Sequence, residues 1–132
     1  MSPSSKQPLS SAQQEIMEIF WREGELSVTE VQKFLADNQR ELARNTVQTL
    51  IVRMEEKGWL KHRAVGRTFF YTPAEPKSVS MGQELKEMLE RSFHGSAEQL
   101  VNSLLESYTL KKGEANRIRK MIDDADRQRK KR

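Results

Sequence analysis

From residue 11 onward the chain runs as short amphipathic stretches separated by glycine- and proline-marked stops. Ile16, Ile19 and Phe20, with Met17 and Trp21 beside them, recur at helical spacing behind a Ser11/Gln14 capping-box pair. This predicts a first helix stopping near Gly24. Ser27 and Glu30 repeat the capping signature ahead of Val28, Val31, Phe34 and Leu35, a short second helix ending around Asp37. Between the two, Leu26 can add a short strand to a sheet.

The next stretch, residues 43 to 57, reads as a third helix. Ala43, Val47, Leu50, Ile51 and Met54 cluster on one side of its wheel, and Asn45, Gln48, Thr49, Val52 and Glu56 on the other. Gly58 is its expected stop. Aromatic and β-branched residues from Trp59 to Val65 and from Thr68 to Thr72, meeting at Gly66-Arg67, read as a β-hairpin. Phe69 and Tyr71 share one face of the second strand and are expected to close the core. Pro73 and Pro76 end the ribbon and begin a linker.

Beyond the linker the periodicity is helical only. Leu85, Met88, Leu89 and Phe93 make one stripe, broken at Gly95. Ala97, Leu100, Val101, Leu104, Leu105 and Tyr108 make a second, and Ala115, Ile118, Met121, Ile122 and Ala125 a third. Short isolated helices are marginal in water, so these stripes need a covering surface, and a second copy of the chain is the simplest one. The alternative is that they fold back onto residues 1 to 73. The fold class expected is therefore mainly α with a small β-hairpin: a lead-in at 1–8 that frays, a winged helix-turn-helix domain at 9–76, an α-helical dimerisation domain at 77–126 and a basic tail at 127–132.

Charge refines this picture. The 132 residues carry a formal net charge of +4, but the excess is uneven. Residues 1–76 hold ten basic and ten acidic side chains, 77–108 three and five, and 109–132 ten and four. The global excess belongs to the tail, where "RQRKKR" reads equally as a solvated end or a nonspecific nucleic-acid contact. Within 40–67, however, seven basic residues stand against Glu41, Glu55 and Glu56, while the opening segment is acidic. That dipolar layout turns one side of the domain toward a polyanion. No apolar run is long enough to span a bilayer, the start lacks a signal core, and cysteine is absent, so a cytoplasmic protein without disulfides or membrane insertion is expected.

Three helices followed by a hairpin is the element order of a winged helix-turn-helix, whose third helix enters the major groove while the hairpin lies along phosphates. On that reading Asn45 and Gln48 present amides to base edges. Thr46 and Thr49 serve phosphate or a thymine methyl, Arg44 either role, and Arg53 phosphate. Arg44 has no side-chain cap before it, so the first turn can offer free N–H groups to a phosphate oxygen. Arg63 and Arg67 on the wing are phosphate candidates. His62 and His94 are isolated and have no ligand-like spacing. Nothing resembles a nucleophile with its base, a phosphate-cradling loop or a carboxylate pair, so neither an enzyme, a metal site nor a cofactor is expected.

The pieces "IMEIFW", "NTVQTLIVRMEEKGWL", "GRTFFYTP" and "FHGSAEQLVNSLLE" together resemble the penicillinase repressor family (BlaI/MecI/CopY), from about Leu9 to about Ile122. The resemblance implies a homodimeric bacterial repressor on an inverted-repeat operator with TACA/TGTA-like half-sites. Matched position by position, it places Arg44, Asn45, Thr46, Gln48, Thr49, Arg53 and Arg67 on double-stranded operator DNA. It places the dimer contact on the helical part, whose stripe residues are Leu85, Leu89, Phe93, Leu100, Val101, Leu104, Leu105, Ile118 and Ile122. It also implies a membrane sensor protease whose signal ends repression by cutting within "LVNSLLE", here between Ser103 and Leu104. Gln14 stands where members often carry tryptophan, and Ser103 where cleaved members carry asparagine. Copper-responsive relatives end in cysteine motifs that this chain lacks. The rival reading is a winged-helix protein-interaction module without specific DNA binding.

Overall fold

The structure is a computed structural model and describes residues 6–131. It contains α1 (Ser11–Glu23), β1 (Leu26–Ser27), α2 (Val28–Asp37), α3 (Arg44–Glu56), β2 (Leu60–Val65), β3 (Thr68–Pro73), α4 (Lys77–Phe93), α5 (Ala97–Ser107) and α6 (Glu114–Lys130). The three strands form one antiparallel sheet in the order β1-β3-β2, with Leu26 opposite Tyr71 and Arg63 opposite Phe70. Contacts divide the chain into two compact units, Met1–Leu85 and Lys86–Arg132.

The first unit is a winged helix-turn-helix. Its core is built where the amphipathic stripes of α1, α2 and α3 meet: Ile16, Phe20, Val31, Val47, Ile51 and Met54 are all fully buried. Trp59, Leu60 and Tyr71 extend the core under the root of the hairpin. Met81, in the second turn of α4, also packs against it, and Ser80 beside it is 2% exposed. A capping box starts α2, as the Ser27/Glu30 spacing predicts, with the Glu30 amide donating to Ser27 and the Ser27 amide to the Glu30 carboxylate. At the hairpin tip Gly66 takes a left-handed φ of 62°, which favours glycine.

Four expectations are corrected. The capping box of α1 is Ser10/Gln13, one residue earlier than Ser11/Gln14. The buried Gln13 amide also donates to Leu50 O at 3.5 Å and accepts from Lys57 at 2.7 Å, tertiary bonds that fix the register. Ala43 is the N-cap of α3 and exposed, so it is not part of the core stripe. Phe69 shares its face with Tyr71, yet Tyr71 is 3% exposed and Phe69 47%. The ribbon outruns the core there, and Phe69 instead stacks on His62 at 4.3 Å. Finally, Lys6, Gln7 and Pro8 do not fray. Gln7 N donates to Lys57 O, Trp59 Nε1 donates to Gln7 O at 2.7 Å, and Lys6 pairs with Glu75. The rest of the expected lead-in, residues 1–5, lies outside the described residues, as does Arg132 of the tail.

The second unit comprises the latter turns of α4 with α5 and α6. Neither α5 nor α6 contains a buried residue. Residues 127–130 of the basic tail continue α6 as helix, with Arg127 and Arg129 paired one turn back to Asp124 and Asp126.

Candidate nucleic-acid interface

The outward face of α3 exists because its inward face is fully used. With Val47, Ile51 and Met54 buried, the helical period leaves Asn45, Gln48, Thr49, Val52 and Arg53 in solvent. Asn45, Gln48, Val52 and Glu56 line a shallow groove of about 410 Å3 along this face. Arg44 and Gln48 also line a second recess of about 320 Å3, with Thr29 from α2 and Arg67, Thr68 and Phe69 from the wing. Gln48 borders both, so the two recesses form one polar strip from α3 to the hairpin tip. Thr46 is exposed in the first turn of α3.

Local bonds organise this strip before any ligand arrives. Arg44 Nε donates to Thr29 Oγ1 at 3.3 Å, and Arg44 Nη1 donates to Gln48 Oε1 at 3.2 Å. The hydroxyl of the exposed Thr49 donates back to Asn45 O at 2.9 Å and is thereby engaged within the helix. The N-cap Ala43 provides no side-chain bond, so the first N–H groups of α3 have no side-chain acceptor. Among the described residues, Arg44, Arg53 and Arg67 take part in no ion pair, whereas Arg40 is paired to Glu15.

Arg63 is placed differently from Arg67. Its Nε and Nη2 donate to the two carboxylate oxygens of Glu25, each at 2.7 Å. That hydrogen bond, opposed by burial and helped by the Arg63 charge, holds the Glu25 carboxyl below the usual carboxylate range, and it raises Arg63 in turn. A depressed carboxylate keeps the pair formed above the ordinary carboxylate pKa and loses it as pH falls. At the root of the wing, His62 Nδ1 lies 2.7 Å from Glu55 of α3. Burial, and then the Glu55 charge, push the Tyr71 phenol up. Thr29, which accepts from Arg44 and lines the recess, and Glu25, which holds Arg63, belong to the candidate site although the sequence did not single them out. Thr29 carried a usable signal, since it lies in the first turn of a capped helix next to the recognition element.

Along the helical part, Leu85, Val101, Leu104, Leu105 and Ile122 are between 44% and 59% exposed. Leu89, Phe93, Leu100, Ser103 and Ile118 are half-buried. Among the described residues no group of three or more His, Asp or Glu comes together as a metal set, and no helix is long and apolar enough to cross a membrane.

A family model described as "Penicillinase repressor" matches residues 9–124. The chain belongs to the penicillinase repressor family. This family member is 28% identical over 116 residues to the penicillinase repressor of Bacillus licheniformis, a similarity that covers 88% of this chain and 90% of that one. It is similar to the solution structure of the DNA binding domain of the repressor BlaI, with 34% identity, a TM-score of 0.48 and coverage of 54% of this chain and 85% of that one. It also resembles the complex structure of hsRosR-SG over 94% of this chain and 96% of the other, with a TM-score of 0.51 and 11% identity, a likeness of fold alone.

Proposed function

We infer that this penicillinase repressor family member is a cytoplasmic transcriptional repressor, not an enzyme, that binds an inverted-repeat operator as a homodimer. The observation that carries the reading is the shared polar strip: Arg44 and Gln48 of α3 border one recess with Arg67 of the wing. A helix in the major groove and a ribbon on the adjacent strand need their ligands on one continuous surface. Asn45 and Gln48 read base edges. The Arg44 bond fixes the Gln48 carbonyl and leaves its NH2 free to donate. The methyls of Thr49 and Val52 suit thymine, while Arg53, Arg67, Thr46 and the uncapped turn of α3 take phosphate.

Gln48→Ala is expected to weaken the preferred sequence by about 1–3 kcal/mol and to flatten base preference at one position of each half-site. Arg67→Ala should weaken all sequences evenly and lower the salt slope by about 1 per site. Both are read by titration over a salt series, using duplexes selected from a random pool. A pool that yields no enriched repeat, together with salt-independent binding, would instead identify a protein-interaction module.

The helical part is the dimerisation element in this reading. Support comes from the uncovered apolar side chains of α4, α5 and α6, among them Leu85, Leu105 and Ile122, each more than half exposed. Apolar surface of this kind calls for a partner. Cleavage between Ser103 and Leu104 by a pathway fed from a membrane sensor protease is the derepression route proposed. It divides α5 and removes α6 from the dimer surface. The test is mass spectrometry of the protein recovered from induced cells, and an intact chain under full derepression rules the route out.

A further inference from the structure

Glu25 immediately precedes β1, Arg63 lies in β2, and β3 runs between those strands. The carboxylate and guanidinium meet as a two-bond fork. The guanidinium carbon is 5.9 Å from the ring of Phe70, the β3 residue that faces Arg63 on one side and Ser27 of β1 on the other. The bridge therefore passes over β3 at Phe70 and ties all three strands together.

Strand alternation puts Arg63 on the ribbon face opposite His62. His62 stacks on Phe69, and Phe69 and Tyr71 line the recess shared with α3, so that recess lies on the other side of the sheet from Arg63. To reach a phosphate there, the guanidinium would have to give up both bonds to Glu25 and change faces.

We propose that Glu25 and Arg63 are a positioning pair that sets the attitude of the wing, and that Arg63 serves operator binding through Glu25 without touching DNA. Phosphate contact at the wing is left to Arg67 at the tip. The proposal rests on the DNA-binding reading above for its functional half. Its structural half concerns the free protein. Both partners are substantially exposed, with side chains 64% and 33% accessible, so the pair adds little to global stability. Its effect is on the geometry of a two-stranded ribbon that is weak alone.

The experiment is a double-mutant cycle in the full-length protein with Arg63→Gln, Glu25→Gln and both together. Each single change is expected to lower affinity for the selected duplex about two- to fivefold, the combination no further, and the salt slope to stay unchanged. A direct phosphate contact gives the opposite pattern: Arg63→Gln lowers the slope by about 0.9 per half-site, and Glu25→Gln tightens binding by releasing the arginine. Either result overturns the proposal. Amide hydrogen exchange of free protein judges the clip itself. Both variants should speed exchange at Phe70 and Tyr71 equally, and exchange equal to wild type overturns the clip whether or not DNA is bound. A wild-type protein that binds no duplex removes the functional reading, and the exchange data then decide the structural half alone.

Discussion

Ending the chain at Leu85 is expected to leave a folded winged helix that holds its operator about 10²- to 10⁴-fold more weakly than the full-length protein. The fold should survive because, among the described residues, every buried apolar one lies between Ile16 and Tyr71, and Met81, the last apolar residue packed on that core, is retained. Affinity should fall although no candidate DNA contact is removed. Joining two modules turns the second half-site contact into an intramolecular step, with an effective concentration in the millimolar range for a short tether. The salt slope should drop to about half, since one module then meets one half-site. A gel-shift titration over salt measures both quantities, and circular dichroism checks the fold. Unchanged affinity with unchanged slope would mean that the helical part does not pair the modules. An unfolded fragment would mean that the core needs α5 and α6.

Signals carried by neighbouring residues were readable. Ser27 and Glu30 cap α2 at the predicted positions, and the burial of Val47, Ile51 and Met54 follows their helical period. Two hairpin strands about Gly66 follow from β-branched and aromatic runs on either side of a turn. The errors have a different cause. The segment "SSAQQ" offers a capping box in two registers, and only bonds from Gln13 to Leu50 and Lys57, more than thirty residues away, decide between them. Period-two alternation places Phe69 and Tyr71 on one face but says nothing of how far the core extends beneath that face. The Glu25–Arg63 pair joins residues 38 apart through a sheet whose order is β1-β3-β2, which no local pattern specifies. In the candidate interface the outward polar face was readable from α3 alone. The participation of Thr29 required the packing of α2 against α3, through which it receives the bond from Arg44.

Trp59→Ala is expected to destabilise the winged helix by about 3–5 kcal/mol, a large share of the 5–15 kcal/mol typical of a domain. The residue is 2% exposed and stands where the parts that position the interface converge. Its N–H continues from the end of α3 to Met54 O at 3.0 Å, and its carbonyl accepts from Ala74 N at 2.9 Å, beyond the wing. The indole edge meets Trp21 at 6.2 Å, the Lys6 ammonium lies 5.5 Å from its ring, and Nε1 holds Gln7 O. Removing the ring opens a cavity below the hairpin root and leaves the Gln7 carbonyl without its donor. Trp59→Phe keeps much of the apolar volume and loses only the donor and the second ring. It should therefore cost about 1 kcal/mol, near the net value of one hydrogen bond, since Gln7 is exposed and water can replace the lost donor. Urea titration followed by circular dichroism gives both values at matched slope. If alanine and phenylalanine proved equally mild, the ring would not be the joint between α3 and the wing. The attitude of the wing would then depend on the sheet and on the Glu25 clip alone.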